Sequence, residues 1–173
     1  ETREFGSGEE NALGYIGKPS ALPKEHHRDG FIYRKCIEFL EGYRPDERPL
    51  FLYFSLIKPH AGFNIPPEFE AMYDINDIPD IPSPPWDEEP RTHILSAMRV
   101  SPNLYRAHYG RKAVLDGRTK EEKRLTTLRY WGNCSFMDDY IGGVLNKLRE
   151  KGLDKNTLFV FVSDHGEMLG ERD

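Results

Sequence analysis

Five apolar residues followed, after one serine, by a carboxylate and an imidazole constrain this chain more than any other feature. The run covers residues 158–162, and Ser163, Asp164, His165 and Gly166 come directly after it. Such a short β-branched and aromatic run favours a strand buried on both faces. In open α/β sheets, ligands bind at the carboxyl ends of the strands. The pattern therefore predicts a strand that carries Asp164 and His165 to a site of chemistry.

Asp164 and His165 are also residues that metals select. Aspartate supplies a hard oxygen and histidine a nitrogen, and both are common metal ligands. Gly166 lets the backbone turn tightly and approach a ligand. The alternative is a strand-end turn in which Asp164 accepts backbone N–H bonds, and these letters alone do not choose between the two.

A second apolar run, residues 50–57, lies between Pro49 and the tripeptide Lys58-Pro59-His60. We interpret it as another buried strand, which again ends in residues capable of chemistry. Pro59 fixes φ and lacks an N–H, which stiffens the exit from the strand. The alternative is a solvated Lys58 and a capping His60.

Helical patterns precede both runs. Residues 31–42 place apolar side chains on one face, with Asp29 as the predicted N-cap. A second helix of about thirty residues is predicted to begin at Thr119, in a capping box with Glu122, and to end at Gly152 as C-cap. The glycines of this helix, Gly132, Gly142 and Gly143, are predicted to allow close packing against the sheet. Asp138 and Asp139 are predicted to lie on its solvated polar face.

The other segments are predicted to be less regular. Residues 1–30 are interpreted as a loop with His26 and His27 on the surface, and residues 61–118 as a proline-rich excursion. Within the excursion, one helical turn is predicted at residues 66–73, near its prolines. Trp86, Tyr105 and Tyr109 are interpreted as aromatic anchors of the excursion. Its charged residues Arg106, His108 and Arg111 fit either an anion pocket or solvated charge.

The element order predicts an α/β fold with a parallel sheet, because strand–helix–strand units favour one. Residues 31–60 supply a helix and a strand, and residues 119–173 a long helix, a strand and the Asp164 loop. Two strands cannot bury both faces themselves. We therefore expect a piece of a larger α/β domain.

Composition excludes some classes of partner. The 173 residues are 38% hydrophobic and 31% charged, with a net charge of −5, which is typical of a globular protein. No basic stripe favours nucleic acid as a partner, and no apolar run approaches the roughly 20 residues of a membrane span. Cys36 and Cys134 are interpreted as small core residues.

Four segments resemble the sulfatases of the alkaline-phosphatase superfamily. These are the helix at 35–40, the K-P-H block at 49–63 with its Pro/Tyr tail at 66–73, the helix at 130–148, and N-T-x-x-x-F-x-S-D-H-G-E-x-L-G at 156–170. The resemblance covers roughly residues 20–173. It implies an alkaline-phosphatase-like sandwich with a mostly parallel sheet flanked by helices, here truncated at both ends.

The resemblance also implies hydrolysis of sulfate monoesters with a divalent cation, usually calcium. Asp164 and His165 match the family's late metal ligands. His60 matches the histidine that contacts the sulfate or protonates the leaving oxygen, and Lys58 lies close enough to join it as a substrate-binding residue. The implied partner is a small-molecule or saccharide sulfate ester, and the favoured location is periplasmic, secreted or lysosomal.

The sequence departs from the family at the nucleophile. That nucleophile is a formylglycine made within a C/S-x-P-S-R motif, which this sequence does not contain. The early acidic pair and the lysine after D-H-G-E-x-L-G are also absent. We therefore expect an internal fragment that is inactive alone, binds calcium weakly and self-associates through exposed sheet edges.

Two alternatives stay open from the sequence. One is a phosphodiesterase or phosphonate monoester hydrolase of the same superfamily, and the other is a non-catalytic α/β interaction module. Strand tips that converge, with His60 near Asp164 and His165, would favour a hydrolase over the interaction module.

Overall fold

The computed structural model describes residues 17–45, 49–80 and 119–169. Three α-helices organise them: α1 at Arg28–Gly42, α2 at Pro67–Glu70 and α3 at Lys120–Glu150. Three short 3-10 helices occupy Lys24–His26, Ile75–Asp77 and Asp154–Asn156.

The predicted α/β sandwich with a mostly parallel sheet is wrong for this structure. The described residues contain helices but no strand, and their only sheet-type pairing is an isolated parallel bridge between Pro19 and Ile65. The apolar runs 50–57 and 158–162 have no ladder partner. A strand needs a neighbour for its N–H and C=O groups, and no described segment supplies one. The premise of association through sheet edges is thereby lost, and self-association itself stays a prediction.

The run at 50–57 nevertheless alternates in exposure. Phe51 and Tyr53 are 89% and 76% exposed, whereas Leu52 and Phe54 between and beside them are half-buried against the helical core. This alternation has the period of two that an extended backbone produces. One face of the run therefore covers the helices and the other faces outward.

The run at 158–162 is exposed along its whole length. Leu158 is 87% exposed, Phe161 81%, and Phe159, the least exposed of the five, 49%. The prediction that this segment is buried on both faces is wrong. Apolar periodicity predicts burial only where other elements supply a surface, and no described element covers this segment.

Helix α1 begins three residues before the predicted start. Its N-cap is His27, and Asp29, predicted to be the cap, lies in the first turn and is buried. A carboxylate there is favourable because the helix dipole is positive at its N-terminus. The helix ends at Gly42 as predicted, and Cys36 is a core residue as predicted.

Helix α3 confirms the predicted capping box. The Thr119 hydroxyl accepts from the Glu122 N–H at 3.1 Å, and the Glu122 carboxylate accepts from the Thr119 N–H at 2.9 Å. At the other end the C-cap is Lys151, not Gly152, which follows with a φ of 67°. Glycine tolerates that positive φ without steric strain.

The core lies where α1 and α2 pack against α3. Its two clusters of buried residues share the half-buried Tyr33 and Phe54 at their margins. The first cluster contains Ile65, Phe69, Phe136, Met137 and Tyr140, and the second Cys36, Leu40, Val144 and Leu148.

Two predictions about single side chains in this region are wrong. His27 is only 2% exposed and packs edge-on against Phe136, with ring centroids 5.3 Å apart. Cys134, predicted to be a core residue, is exposed. His26 is exposed as predicted.

Two of the helix α3 glycines allow close packing, but against loops and helices and not a sheet. Gly132 faces Ile65 and Phe69, and Gly143 faces Tyr33. Gly142 faces open space. Asp138 and Asp139 lie on an exposed face as predicted, and Asp139 pairs with Lys24 at 2.7 Å.

Lys151 joins the carboxyl-terminal ends of α1 and α3. Its ammonium donates to the carbonyls of Leu40, Glu41 and Tyr43 at 2.5, 2.9 and 2.8 Å. These carbonyls lack helical partners because they lie at the end of α1. One cation thus satisfies them from the neighbouring helix.

Helix α2 confirms the predicted turn in the proline-rich excursion, with Pro67 in its first turn. Phe69 anchors it in the core. The predictions for Trp86, Tyr105, Tyr109, Arg106, His108 and Arg111 lie outside the described residues. In the part of the chain that the structure describes, no helix has the length and apolar character needed to cross a membrane.

Candidate functional site

The ends of the two apolar runs converge although the runs form no ladder. The ring centroids of His60 and His165 are 6.2 Å apart, with the planes inclined at 71°. His60 follows the run at 50–57, and His165 follows the run at 158–162. The convergence predicted for a hydrolase is thus present between these two imidazoles.

The loop that carries His165 is tied by its own polar groups. The Asp164 carboxylate accepts from the His165 N–H at 3.0 Å, and the Ser163 hydroxyl donates to the His165 carbonyl at 2.6 Å. The backbone-accepting role that the sequence offered as the alternative for Asp164 is therefore present, although the described residues before it form no strand. It leaves the second oxygen of Asp164 3.7 Å from Nε2 of His165.

The hydrogen bonds of the His165 ring define its tautomer. Nδ1 lies 2.8 Å from the Gly166 carbonyl, which can only accept, so Nδ1 carries a proton. In the neutral ring Nε2 then offers a lone pair. The Gly166 carbonyl, and after it the negative charge of Asp164, raise the pKa of His165. A raised pKa means that these groups stabilise the protonated form of the ring relative to a free imidazole.

His60 has a matching arrangement. Its Nδ1 lies 3.2 Å from the Ala61 carbonyl, and its ring is exposed. Because Nδ1 donates to that carbonyl, Nε2 on the opposite side of the ring is the nitrogen left to bind or release a proton. The backbone N–H of His60 donates to the Ile57 carbonyl at 3.1 Å, which closes a turn around Pro59.

Lys58 contacts the same loop. Its ammonium donates to the carbonyl of Gly62, and Gly62 has a φ of 87° that favours glycine. Lys58 thereby ties together the loop that presents His60. A substrate-binding role for Lys58 stays a prediction.

Asp164 and His165 do not complete a calcium site. The described residues contain no group of three or more His, Cys, Asp or Glu side chains arranged to hold a metal. Calcium takes about 6–8 oxygen ligands, and this pair offers one carboxylate and one nitrogen. A carboxylate and an imidazole suit a cation as part of a ligand set, to which the described residues add no third His, Cys, Asp or Glu side chain.

Tyr130 is a neighbour of the site that the sequence patterns treated only as a helical apolar residue. Its ring packs edge-on against Phe63, with centroids 5.8 Å apart. Burial, then the nearby Cys134 and Glu167, raise the pKa of Tyr130. Tyr130 therefore holds a protonated hydroxyl beside the loop that follows His165.

Asp29 is another residue that the sequence patterns misassigned. Its carboxylate, 3% exposed, accepts from the Ile57 N–H at 2.6 Å. Because Asp29 precedes an amphipathic segment, the sequence suggested a helix cap. The fold shows that its carboxylate accepts a hydrogen bond from Ile57, which is distant in sequence.

Comparison with known proteins gives a consistent family match. The family described as Sulfatase matches residues 6–173. The chain is 32% identical over 95% of its length to the multifunctional alkaline phosphatase superfamily protein PehA of Trinickia caryophylli. It is 27% identical over 92% of its length to an arylsulfatase of Clostridium perfringens, and 28% identical over 79% to human iduronate 2-sulfatase.

The chain covers only part of each of these relatives. It spans 32% of PehA, 30% of the arylsulfatase and 25% of the iduronate 2-sulfatase. The chain that carries His60 and His165 therefore spans about a third or less of the length of each of these relatives.

Proposed function

The chain belongs to the sulfatase family, and on that premise we propose that it forms part of a sulfate-ester site in a hydrolase. His60, Asp164 and His165 are the residues proposed to form that part. The observation that carries the proposal is the 6.2 Å separation of the His60 and His165 rings, which are delivered by separate segments.

His60 is proposed to contact the sulfate and to protonate the leaving oxygen. With Nδ1 engaged by the Ala61 carbonyl, the protonated ring would donate to the leaving oxygen from Nε2. A positioned histidine is an efficient general acid when it comes within about 2.6–3.2 Å of the oxygen. The exposure of His60 leaves room for that approach.

Asp164 and His165 are proposed as two ligands of a divalent cation, calcium or another. When bound, such a cation supplies charge neutralisation for sulfate oxygens. Asp164 contributes the oxygen that does not accept from the His165 N–H, and His165 contributes Nε2 after losing its proton. The sequence lacks the family's early acidic pair, so this chain is proposed to bind the cation weakly.

The nucleophile is proposed to lie on polypeptide other than this sequence. The C/S-x-P-S-R motif that yields formylglycine does not occur in it. The chain by itself is therefore proposed to bind sulfate weakly without turning over an ester. Turnover of an aryl sulfate at an ordinary enzymatic rate, with calcium added to this chain alone, would contradict this part of the proposal.

Titration of the chain with Mn²⁺ and then sulfate tests the binding site. In NMR spectra of protein with ¹⁵N-labelled histidine, Mn²⁺ should broaden the His165 signals most, His60 next and His26 least. Asp164→Asn should weaken Mn²⁺ binding by at least about tenfold, because even the loss of a residue that only hydrogen-bonds to a metal ligand lowers metal affinity by about that factor. Sulfate should shift the His60 signals, and His60→Asn should abolish sulfate binding while the Mn²⁺ effect at His165 persists.

His26→Asn is the matched control because His26 is another exposed histidine on a different element. Its substitution should change neither titration. Equal Mn²⁺ broadening at His26 and His165, or sulfate shifts that survive His60→Asn, would refute the proposed site.

A second candidate function is hydrolysis of phosphate diesters or phosphonate monoesters. The relative named PehA favours it, because that relative matches 95% of the chain and carries the name of the alkaline phosphatase superfamily and not of sulfatases. An aryl phosphate diester, an aryl phosphonate and an aryl sulfate offered to the whole protein that contains this chain would discriminate. A preference for the sulfate supports the first proposal, and a preference for either phosphorus ester supports the second.

A further inference from the structure

A buried carboxylate on α1 is connected to the backbone of His60 by two hydrogen bonds. Asp29 accepts from the Ile57 N–H at 2.6 Å, and the Ile57 carbonyl accepts from the His60 N–H at 3.1 Å. The connection thus runs from the protein core to the base of the exposed imidazole.

Asp29 is suited to act as a fixed anchor. Its side chain is buried, and a buried carboxylate is stable only where hydrogen bonds or charges compensate for lost water. The Ile57 N–H gives a charge-assisted bond, and the amino-terminal end of α1 favours the negative charge. The surroundings are closely packed, since a Cβ on Gly30 would stand 2.8 Å from the Tyr140 hydroxyl.

The segment that Asp29 holds has no ladder to fix it. Residues 50–57 cover the helices through alternate side chains, and His60 follows them. The bond from Lys58 to Gly62 lies within the same loop and shapes it. The bond from Asp29 to Ile57 connects the tip to α1.

We infer that Asp29 is a positioning residue that holds the tip of residues 50–57 and thereby keeps the His60 ring beside His165. Its significance for catalysis rests on the function proposed above. Asp29 acts through the backbone of Ile57 and does not itself reach the ester.

Substitution of Asp29 in this chain tests the inference. Asp29→Leu removes the acceptor at similar side-chain size, whereas Asp29→Asn keeps an acceptor oxygen and loses the charge. Asp29→Leu should accelerate amide hydrogen exchange at Ile57 by about tenfold or more and abolish the nuclear Overhauser contact between the His60 and His165 rings. Asp29→Asn should retain the ring contact, with exchange at Ile57 only a few-fold faster.

Asp74→Leu is the matched control. Asp74 also accepts from a backbone N–H, that of Asn76, but on an exposed turn. This substitution should leave Ile57 exchange and the ring contact unchanged. If Asp29→Leu prevents folding, Asp29→Asn decides: faster exchange at Ile57 supports the inference, and unchanged exchange refutes it.

Sulfate titration separates this inference from the proposed function. Loss of both the ring contact and the sulfate shift at His60 in Asp29→Leu, with Mn²⁺ broadening of His165 intact, supports both. A folded Asp29→Leu variant with unchanged Ile57 exchange and ring contact overturns the positioning role while leaving the proposed function standing. Wild-type protein that shows the ring contact but no sulfate shift overturns the function, and the Asp29 variants still test the anchor.

Discussion

Gly132 of α3 lies directly against the side chain of Ile65. A methyl group at Gly132 would overlap Cδ1 of Ile65 and stand 3.0 Å from the carbonyl oxygen of Phe69. Gly132→Ala should therefore destabilise the protein by about 1–3 kcal/mol through overpacking. This loss outweighs the gain in helix propensity, which is at most about 1 kcal/mol. Urea unfolding followed by circular dichroism measures the difference.

Gly142→Ala provides the control on the same helix. A Cβ at Gly142 meets nothing within 4 Å, so the substitution should stabilise the protein by up to about 1 kcal/mol. If both substitutions change the free energy of unfolding in the same direction, packing against Ile65 is not what requires glycine at position 132.

Lys151→Met should destabilise the helical pair. The substitution removes the ammonium that donates to the carbonyls of Leu40, Glu41 and Tyr43, while much of the aliphatic stem is kept. Loss of hydrogen bonds to a charged group lowers the free energy of unfolding by about 1.5–3 kcal/mol. Thermal and urea unfolding both report this change.

Lys35→Met is the comparison for Lys151→Met. Lys35 pairs with Glu38 on α1, and both side chains are 58% exposed. Exposed pairs contribute roughly 0–1 kcal/mol, so this variant should unfold almost as the wild type does. Equal losses in the two variants would contradict the role assigned to Lys151.

Stability should fall in alkali because of Tyr140. Burial, and then the nearby Asp29, Asp139 and Glu25, raise the pKa of Tyr140 above the usual value. An unfolded tyrosine loses its proton near pH 10, whereas the folded protein retains it, so the stabilisation is complete below about pH 10 and is lost as the pH rises through the folded pKa. Urea unfolding between about pH 8 and 11 should show the decline.

Tyr140→Phe should flatten that decline. The variant loses the hydrogen bond to the Lys24 carbonyl, which lowers stability near neutrality by about 0.5–1.5 kcal/mol. The difference from wild type should then shrink above about pH 10. A residual slope is expected because the pKa of Lys24 is also raised, chiefly by its hydrogen bond to Asp139. A constant difference at every pH would contradict the assignment to Tyr140.

Local signals predicted the helices well. The capping box at Thr119 and Glu122, the end of α1 at Gly42 and the turn at Pro67 were each set by residues close in sequence. Caps and turns depend on a few neighbouring side chains, so the sequence carries them directly.

Features that depend on distant partners were not predictable in the same way. The apolar character of residues 158–162 indicated a strand, but pairing requires a second segment, and no described segment supplies it. Asp29 has the appearance of a cap and is used by Ile57 instead. His27 is buried because Phe136, on another helix, lies beside it.

The candidate site falls between these two cases. Asp164, His165 and His60 were predicted from the residues that end two apolar runs, and the two histidines are close in space. The missing part is the ligand set, because the described residues supply only the Asp164 and His165 pair. Their metal and catalytic roles stay predictions.

Lys151 serves the last turns of two helices at once. Fraying at the end of α1 would strip this ammonium of its acceptors, and unwinding at the end of α3 would withdraw it from them. Neither terminus can therefore loosen without loosening the other, and the two should exchange their amide hydrogens as one cooperative unit.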